Sequence, residues 1–126
     1  MIKVIVVDDD PTNAGLIKML LELDGFQVTS CSDKTETEKA ATIETQVFVI
    51  DCNLARGASG IDILKSIRTG LMAASETAVV IMTSGDYRLE QETMAAGANR
   101  FLLKPYSPDV LSKMISALLQ NGGVSG

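Results

Sequence analysis

The chain has 126 residues, 46% of them hydrophobic, a formal net charge of -5 and no histidine. That length supports one core and calls for no second domain, while the acidic balance argues against a surface built to track a nucleic-acid backbone, which needs a basic face. Cys31 and Cys52 form no CxxC pair and have no histidine to complete a thiolate metal site, so both are expected as reduced thiols buried in a cytoplasmic protein. The chain passes from Met1 through one lysine into an alternating strand and an acidic triplet, unlike a signal peptide, and no apolar stretch is long enough to cross a bilayer.

Short β-branched runs alternate with longer helical patterns, the signature of βα units around a parallel sheet. A first strand is expected over Ile2 to Val7. Asp10 as N-cap and Pro11 at the first helical position then open a helix that carries Leu16, Leu20 and Leu23 and is closed by Gly25. A second strand covers Phe26 to Cys31. The next segment, Asp33 to Thr42, is polar and β-branched, and predicts a mobile or irregular helix. The third strand runs from Gln46 to Asp51, and Ser59 with Asp62 has capping-box spacing ahead of Ile63, Leu64 and Ile67, which starts a helix near Gly60. A fourth strand over Ala78 to Thr83 leads into a helix from about Tyr87 to Ala96, stopped by Gly97, and a fifth strand spans Asn99 to Leu103. In the last helix Ser107 caps, Pro108 takes the first turn, and Val110, Leu111, Met114 and Leu118 form the buried stripe. Residues 121–126 offer nothing to anchor them and are expected to be a flexible tail, leaving the domain at residues 1–120. Near-continuous apolar strands need cover on both faces. The fold class is therefore α/β, a doubly wound five-stranded parallel sheet.

Ligands of an open parallel sheet collect outside the carboxyl ends of its strands, where the strand order reverses. In a 2-1-3-4-5 order, Asp8 and Asp9 after the first strand and Asp51 at the end of the third converge at that point. Lys104 ends the fifth strand, and Thr83 and Ser84 end the fourth, so one cation and a hydroxyl face three acids. Carboxylates so crowded repel by roughly 4 kcal/mol per pair at about 4 Å with an effective dielectric near 20. Either protons are retained or a divalent cation is bound, and hard oxygen ligands suit Mg²⁺. Helix capping accounts for Asp10 but not for two further acids. A carboxylate nucleophile beside such an ion is the arrangement for forming an acyl phosphate, with Asp51 as the nucleophile.

Five segments in order, Val6-Val7-Asp8-Asp9-Asp10-Pro11, Val49-Ile50-Asp51, Ser59-Gly60, Thr83-Ser84-Gly85, and Ala96-Gly97-Ala98 leading into Phe101-Leu102-Leu103-Lys104-Pro105, resemble the receiver domains of bacterial two-component response regulators, over about residues 2 to 120. The resemblance implies a flavodoxin-like (βα)5 fold, and Mg²⁺ held by Asp8, Asp9, Asp51 and the backbone carbonyl of Asn53. It implies phosphorylation of Asp51 by a histidine kinase or histidine phosphotransfer protein, with Ser84 (or Thr83) and Lys104 on the phosphoryl oxygens and a cis Lys104-Pro105 bond. Ser84 and Phe101 are then the switch pair, Asn53 and Asp86 tune loss of the phosphoryl group, and the surface of the fourth helix, fifth strand and fifth helix signals to a downstream target. Such a domain is a switch with self-catalysed phosphorylation and dephosphorylation, not a turnover enzyme. No direct contact with nucleic acid or membrane is expected.

The chain departs from that pattern twice. Its segment from Cys52 to Ser59 is about one residue longer than the usual loop and has Leu54-Ala55-Arg56-Gly57 where a proline is common, which leaves the path of the third metal ligand open. The stretch from Ser84 to Gly97 is about two residues short, implying a fourth helix that begins late or is rotated. Two other readings compete. A flavodoxin-like cofactor binder needs a Ser/Thr/Gly-rich loop after the first strand to cradle phosphate, and Asp8-Asp9-Asp10 repels one. A receiver-like adaptor that binds partners without phosphorylation is favoured only by the two departures.

Overall fold

The computed structural model describes residues 1–124. In chain order the elements are β1 (Lys3–Val7), α1 (Pro11–Leu23), β2 (Gln27–Cys31), α2 (Lys34–Ala40), β3 (Thr45–Asp51), a 3-10 turn (Ala55–Gly57), α3 (Gly60–Arg68), β4 (Val79–Ser84), a second 3-10 turn (Tyr87–Leu89), α4 (Glu90–Ala95), β5 (Arg100–Leu103) and α5 (Pro108–Val124). All pairings are parallel, in the order β2-β1-β3-β4-β5. The order reverses at β1, which lies between β2 and β3. Register places Val7 beside both Cys31 and Ile50, and Asp51 beside Thr83, so the carboxyl ends of the central strands share one rim.

Alternation along each strand sends side chains to two separate cores. Val4, Val6, Val47, Val49 and Ile81 meet Ile17 and Leu21 of α1 and Leu111, Ile115 and Leu118 of α5. Ile5, Val7, Phe48, Ile50, Val80 and Met82 meet Ile63, Leu64 and Ile67 of α3 on the other face. Each such side chain removed from water contributes about 1.5–3 kcal/mol, which is why the central strands tolerate so few polar residues.

Packing sets the buried face of two helices, and in α5 that face differs from the sequence reading. In α1 the buried residues are Ala14, Ile17 and Leu21, while Leu16 and Leu23 are exposed and Leu20 is half-buried. One residue is about 100° of helix rotation; α1 is apolar around more than half its girth, and packing selects the narrower stripe. In α5, Leu111, Ile115 and Leu118 are buried, Val110 is exposed and Met114 is half-buried. The third helix is as expected.

The polar segment after β2 forms a regular helix. Asp33 caps α2 by accepting the Glu36 N–H at 2.8 Å, and Glu36 reaches back to the Ser32 N–H at 2.7 Å. This pair of side-chain caps, a capping box displaced by one residue because Glu36 takes the N–H before the cap, with Thr37 buried and its hydroxyl donating to the Asp33 carbonyl at 2.8 Å, offsets the poor composition. The fourth helix is shorter than its sequence suggested: Tyr87–Leu89 is a 3-10 turn and the α-helical part begins at Glu90. Helix α5 continues to Val124, taking up part of the segment 121–126 read as a tail; residues 125 and 126 lie outside the described residues. No helix among the described residues is long and apolar enough to cross a membrane.

Candidate functional site

Asp8 follows β1 directly, and its N–H continues the sheet ladder to the Cys31 carbonyl at 3.0 Å. The carboxylate is therefore delivered to the rim on a rigid strand and is almost wholly buried. Its Oδ1 accepts the Asp10 N–H at 2.9 Å and its Oδ2 accepts the Asn13 side-chain amide at 2.5 Å. Asp10 turns away to cap α1, accepting the Thr12 and Asn13 N–H groups at 3.0 and 3.4 Å, while Asp9 is exposed. The triplet thus divides its work. Asp10 caps, and Asp8 and Asp9 remain for the rim.

Asp51 ends β3 with its side chain 12% exposed. Its Oδ1 accepts the Asn53 N–H at 3.0 Å and its Oδ2 accepts Lys104 Nζ at 3.0 Å. The Lys104 ammonium also lies 3.6 Å from Asp8 Oδ2. Burial alone depresses its pKa, but the hydrogen bond and charge of Asp51, then the charge of Asp8, more than offset that, and the net shift is upward. Lys104 is held by its N–H to the Ser84 carbonyl at 2.8 Å, and the Lys104–Pro105 bond is cis, as the resemblance implied. One oxygen from each of Asp8, Asp9 and Asp51 lies within 4.8 Å of the others. One lysine cannot neutralise three carboxylates, and an all-oxygen donor set at this spacing fits a small hard divalent cation such as Mg²⁺.

The hydroxyl side is set by β4. Ser84, buried at the end of that strand, accepts the Asp86 N–H at 3.0 Å and donates to Asn53 Oδ1 at 3.4 Å. Thr83 pairs with Asp51 across the sheet, and its carbonyl accepts the Cys52 N–H at 2.8 Å. Asp86 caps the following turn and is taken up by a two-point pair with Arg88. Phe101, on β5, is half-buried against the core beneath α3.

The long loop after Asp51 closes on itself. Leu54 is buried and donates its N–H to the Ala58 carbonyl at 3.0 Å, Asn53 bridges Ser59, and Arg56 and Gly57 take left-handed φ values of 60 and 72°. Ser59 caps α3 by accepting the Ile61 N–H at 3.1 Å; Asp62 stays exposed. Gly60 allows α3 to start against the acceptor strand, since a Cβ there would stand 2.0 Å from the Asp51 carbonyl oxygen. Cys52 points into the core, and burial first, then the Asp51 charge, pushes its thiol up to about 12. Both cysteines are free and buried, as expected.

Sequence reasoning did not single out Asn13 or the contact made by Gly60. The first had a signal, an amide at the third position of a helix capped by an acid; the second depends on how closely two elements pack. Beside Lys104, an apolar groove of about 410 Å³ runs between α1 and the loop after β5, lined by Leu16, Leu20, Pro105 and Tyr106 and ending at Asn13.

A doubly wound parallel sheet in the order 2-1-3-4-5 defines the flavodoxin-like class, and here its switch point carries a crevice of acids. Comparison with known proteins narrows it: residues 4–116 match the response regulator receiver domain, and the chain belongs to that family. It is 34% identical over 123 residues to the nitrate/nitrite response regulator protein homolog of Haemophilus influenzae, covering 94% of this chain and 57% of that protein. It is 32% identical over 119 residues to a probable chemotaxis protein CheY of Rhizobium etli, covering 93% of this chain and 92% of that protein. A receiver domain protein of Clostridium thermocellum has the same fold, with a TM-score of 0.84 at 29% identity and complete coverage of both chains. The chain thus spans little more than half of one of these relatives and nearly all of the other.

Proposed function

We propose that this receiver domain is a phosphoacceptor switch of a two-component relay in the cytoplasm, taking a phosphoryl group onto Asp51 from a histidine kinase or histidine phosphotransfer protein. The observation that carries the reading is the meeting of Asp8, Asp9 and Asp51 with a single lysine, Lys104, at one rim. Asp8, Asp9 and Asp51, with the Asn53 carbonyl, would hold Mg²⁺, which when bound supplies charge neutralisation on the transferring phosphoryl oxygens. An Asp51 carboxylate oxygen forms the new O–P bond as the bond from phosphorus to the donor's imidazole nitrogen breaks, and the departing imidazole keeps that electron pair and takes up a proton. Lys104, already on Asp51 Oδ2, moves to a phosphoryl oxygen. Ser84, in preference to Thr83, turns its hydroxyl from Asn53 toward another, because it is the hydroxyl already aimed across the rim. Phe101 then turns inward, and the surface of α4, β5 and α5 changes for a partner or output domain. Water later cleaves the acyl phosphate, so the chain is a switch and not a turnover enzyme.

The chain has no histidine of its own, so the donor is a separate group. The decisive experiment is incubation with acetyl phosphate and Mg²⁺, read by intact mass. One phosphoryl addition is expected in the native chain and none in Asp51→Asn; no addition in the native chain supports the unphosphorylated adaptor instead.

A further inference from the structure

We propose that Asn13 is a positioning residue for Asp8, holding that carboxylate in the orientation in which it meets Asp9 and Asp51. The inference rests on the reading that this trio binds Mg²⁺. Asn13 is the third residue of α1, and helical side chains tilt toward the N-terminus. Its side chain therefore turns back past the cap, and its Nδ2 lies 2.5 Å from Asp8 Oδ2. An ionised carboxylate only accepts hydrogen bonds, so the end of the amide facing it is the NH₂.

The chemistry of the place selects a neutral donor. At this helical position a Glu or Gln commonly accepts the N–H of the capping residue. Here that N–H, from Asp10, is already taken by Asp8 Oδ1 at 2.9 Å. A carboxylate at position 13 would add another acid to a rim that already has three. A lysine or arginine would cancel the negative charge that attracts the cation. The asparagine amide fixes Asp8 and leaves its charge intact. A carboxylate has about four lone-pair directions, so the bonds from Asp10 and Asn13 leave others for a cation or its waters.

The test is a Mg²⁺ titration of the full chain, followed through the backbone amide NMR shifts of Asp8, Asp9 and Asp51, in the native chain, Asn13→Leu and Asn13→Gln. Leucine keeps the volume and removes the donor; glutamine restores a donor on a longer arm. We expect binding about 10-fold weaker in Asn13→Leu, the lower end of what losing a ligand's supporting partner costs, and a partial return in Asn13→Gln. Native-like affinity in Asn13→Leu overturns the proposal, and so does a glutamine variant no better than the leucine one. If the native chain shows no Mg²⁺-dependent shifts, the metal reading itself fails and the proposal with it.

Discussion

At the amino end of the sheet, Arg68 of α3 donates to the carbonyls of Gly97, Glu76 and Ala78 and to Asn99 Oδ1, at 2.7 to 2.9 Å. At the carboxyl end, Lys104 meets the carboxylates of Asp51 and Asp8 at 3.0 and 3.6 Å. Both cations are half-buried, yet the acceptors around Arg68 are neutral and fixed, and those around Lys104 are charged and outnumber it. The planar fork of arginine suits the first setting, since it ties α3 to the segments entering β4 and β5 in one plane. The compact ammonium of lysine suits the second, where it can pass from one oxygen to another. One rim is completed by the fold. The other is left with a charge excess that only a bound ion or proton removes, and that is where the chemistry collects.

The largest break in this comparison is expected from Gly60→Ala. With a Cβ 2.0 Å from the Asp51 carbonyl oxygen and 2.8 Å from Ile50 Cγ2, α3 must move off β3. Overpacking of this kind costs about 3 kcal/mol, or a fall of roughly 10 °C in Tm by the usual scaling for a domain of this size, and it displaces the acceptor itself. Arg68→Ala comes next, at about 2–3 kcal/mol, because partly buried carbonyls lose their donor; Arg68→Lys should recover little, lacking the fork. Mg²⁺ then separates the two rims. At ten times its Kd the ion is expected to stabilise the native chain by ~1.4 kcal/mol. Arg68→Ala keeps that increment in thermal melts, and Asp51→Asn loses most of it. An equal Mg²⁺ increment in Asp51→Asn would show that the ion is bound elsewhere.

The same contrast explains what the sequence made legible. Asp8, Asp9, Asp51 and Lys104 were readable because strand periodicity fixes which end of each run reaches the rim, and a parallel sheet brings like ends together. The strands were placed to within a residue or so for the same reason. Arg68 was not readable, since its acceptors are mostly backbone atoms that carry no sequence signature. Nor could periodicity choose between the Leu16 and Ile17 faces of α1, because both are apolar and only packing decides. The Asp33-x-x-Glu36 box was present in the sequence and outweighs the propensities that argued for an irregular helix. The path after Asp51 depended on Arg56 adopting a left-handed φ, which nothing in an arginine announces.

The smallest effect sharpens the account of Lys104 itself. Its folded pKa is raised above the ordinary 10.5, so above that pH the folded chain binds more protons than the unfolded one. The stability this contributes is present in full below about pH 10.5 and is lost as pH rises through the folded value. Tyr106, whose phenol burial raises above 10.0, acts with the same sign from a slightly lower pH. Urea midpoints measured between about pH 9 and 11.5 should therefore fall, with the buried thiols of Cys52 and Cys31, both raised, supplying the largest and earliest part, and Tyr106→Phe and Lys104→Met each removing a smaller, later part. If Lys104→Met kept the full slope, its ammonium would not be held by Asp51 and Asp8 in solution, and the two rims would differ less than their geometry indicates.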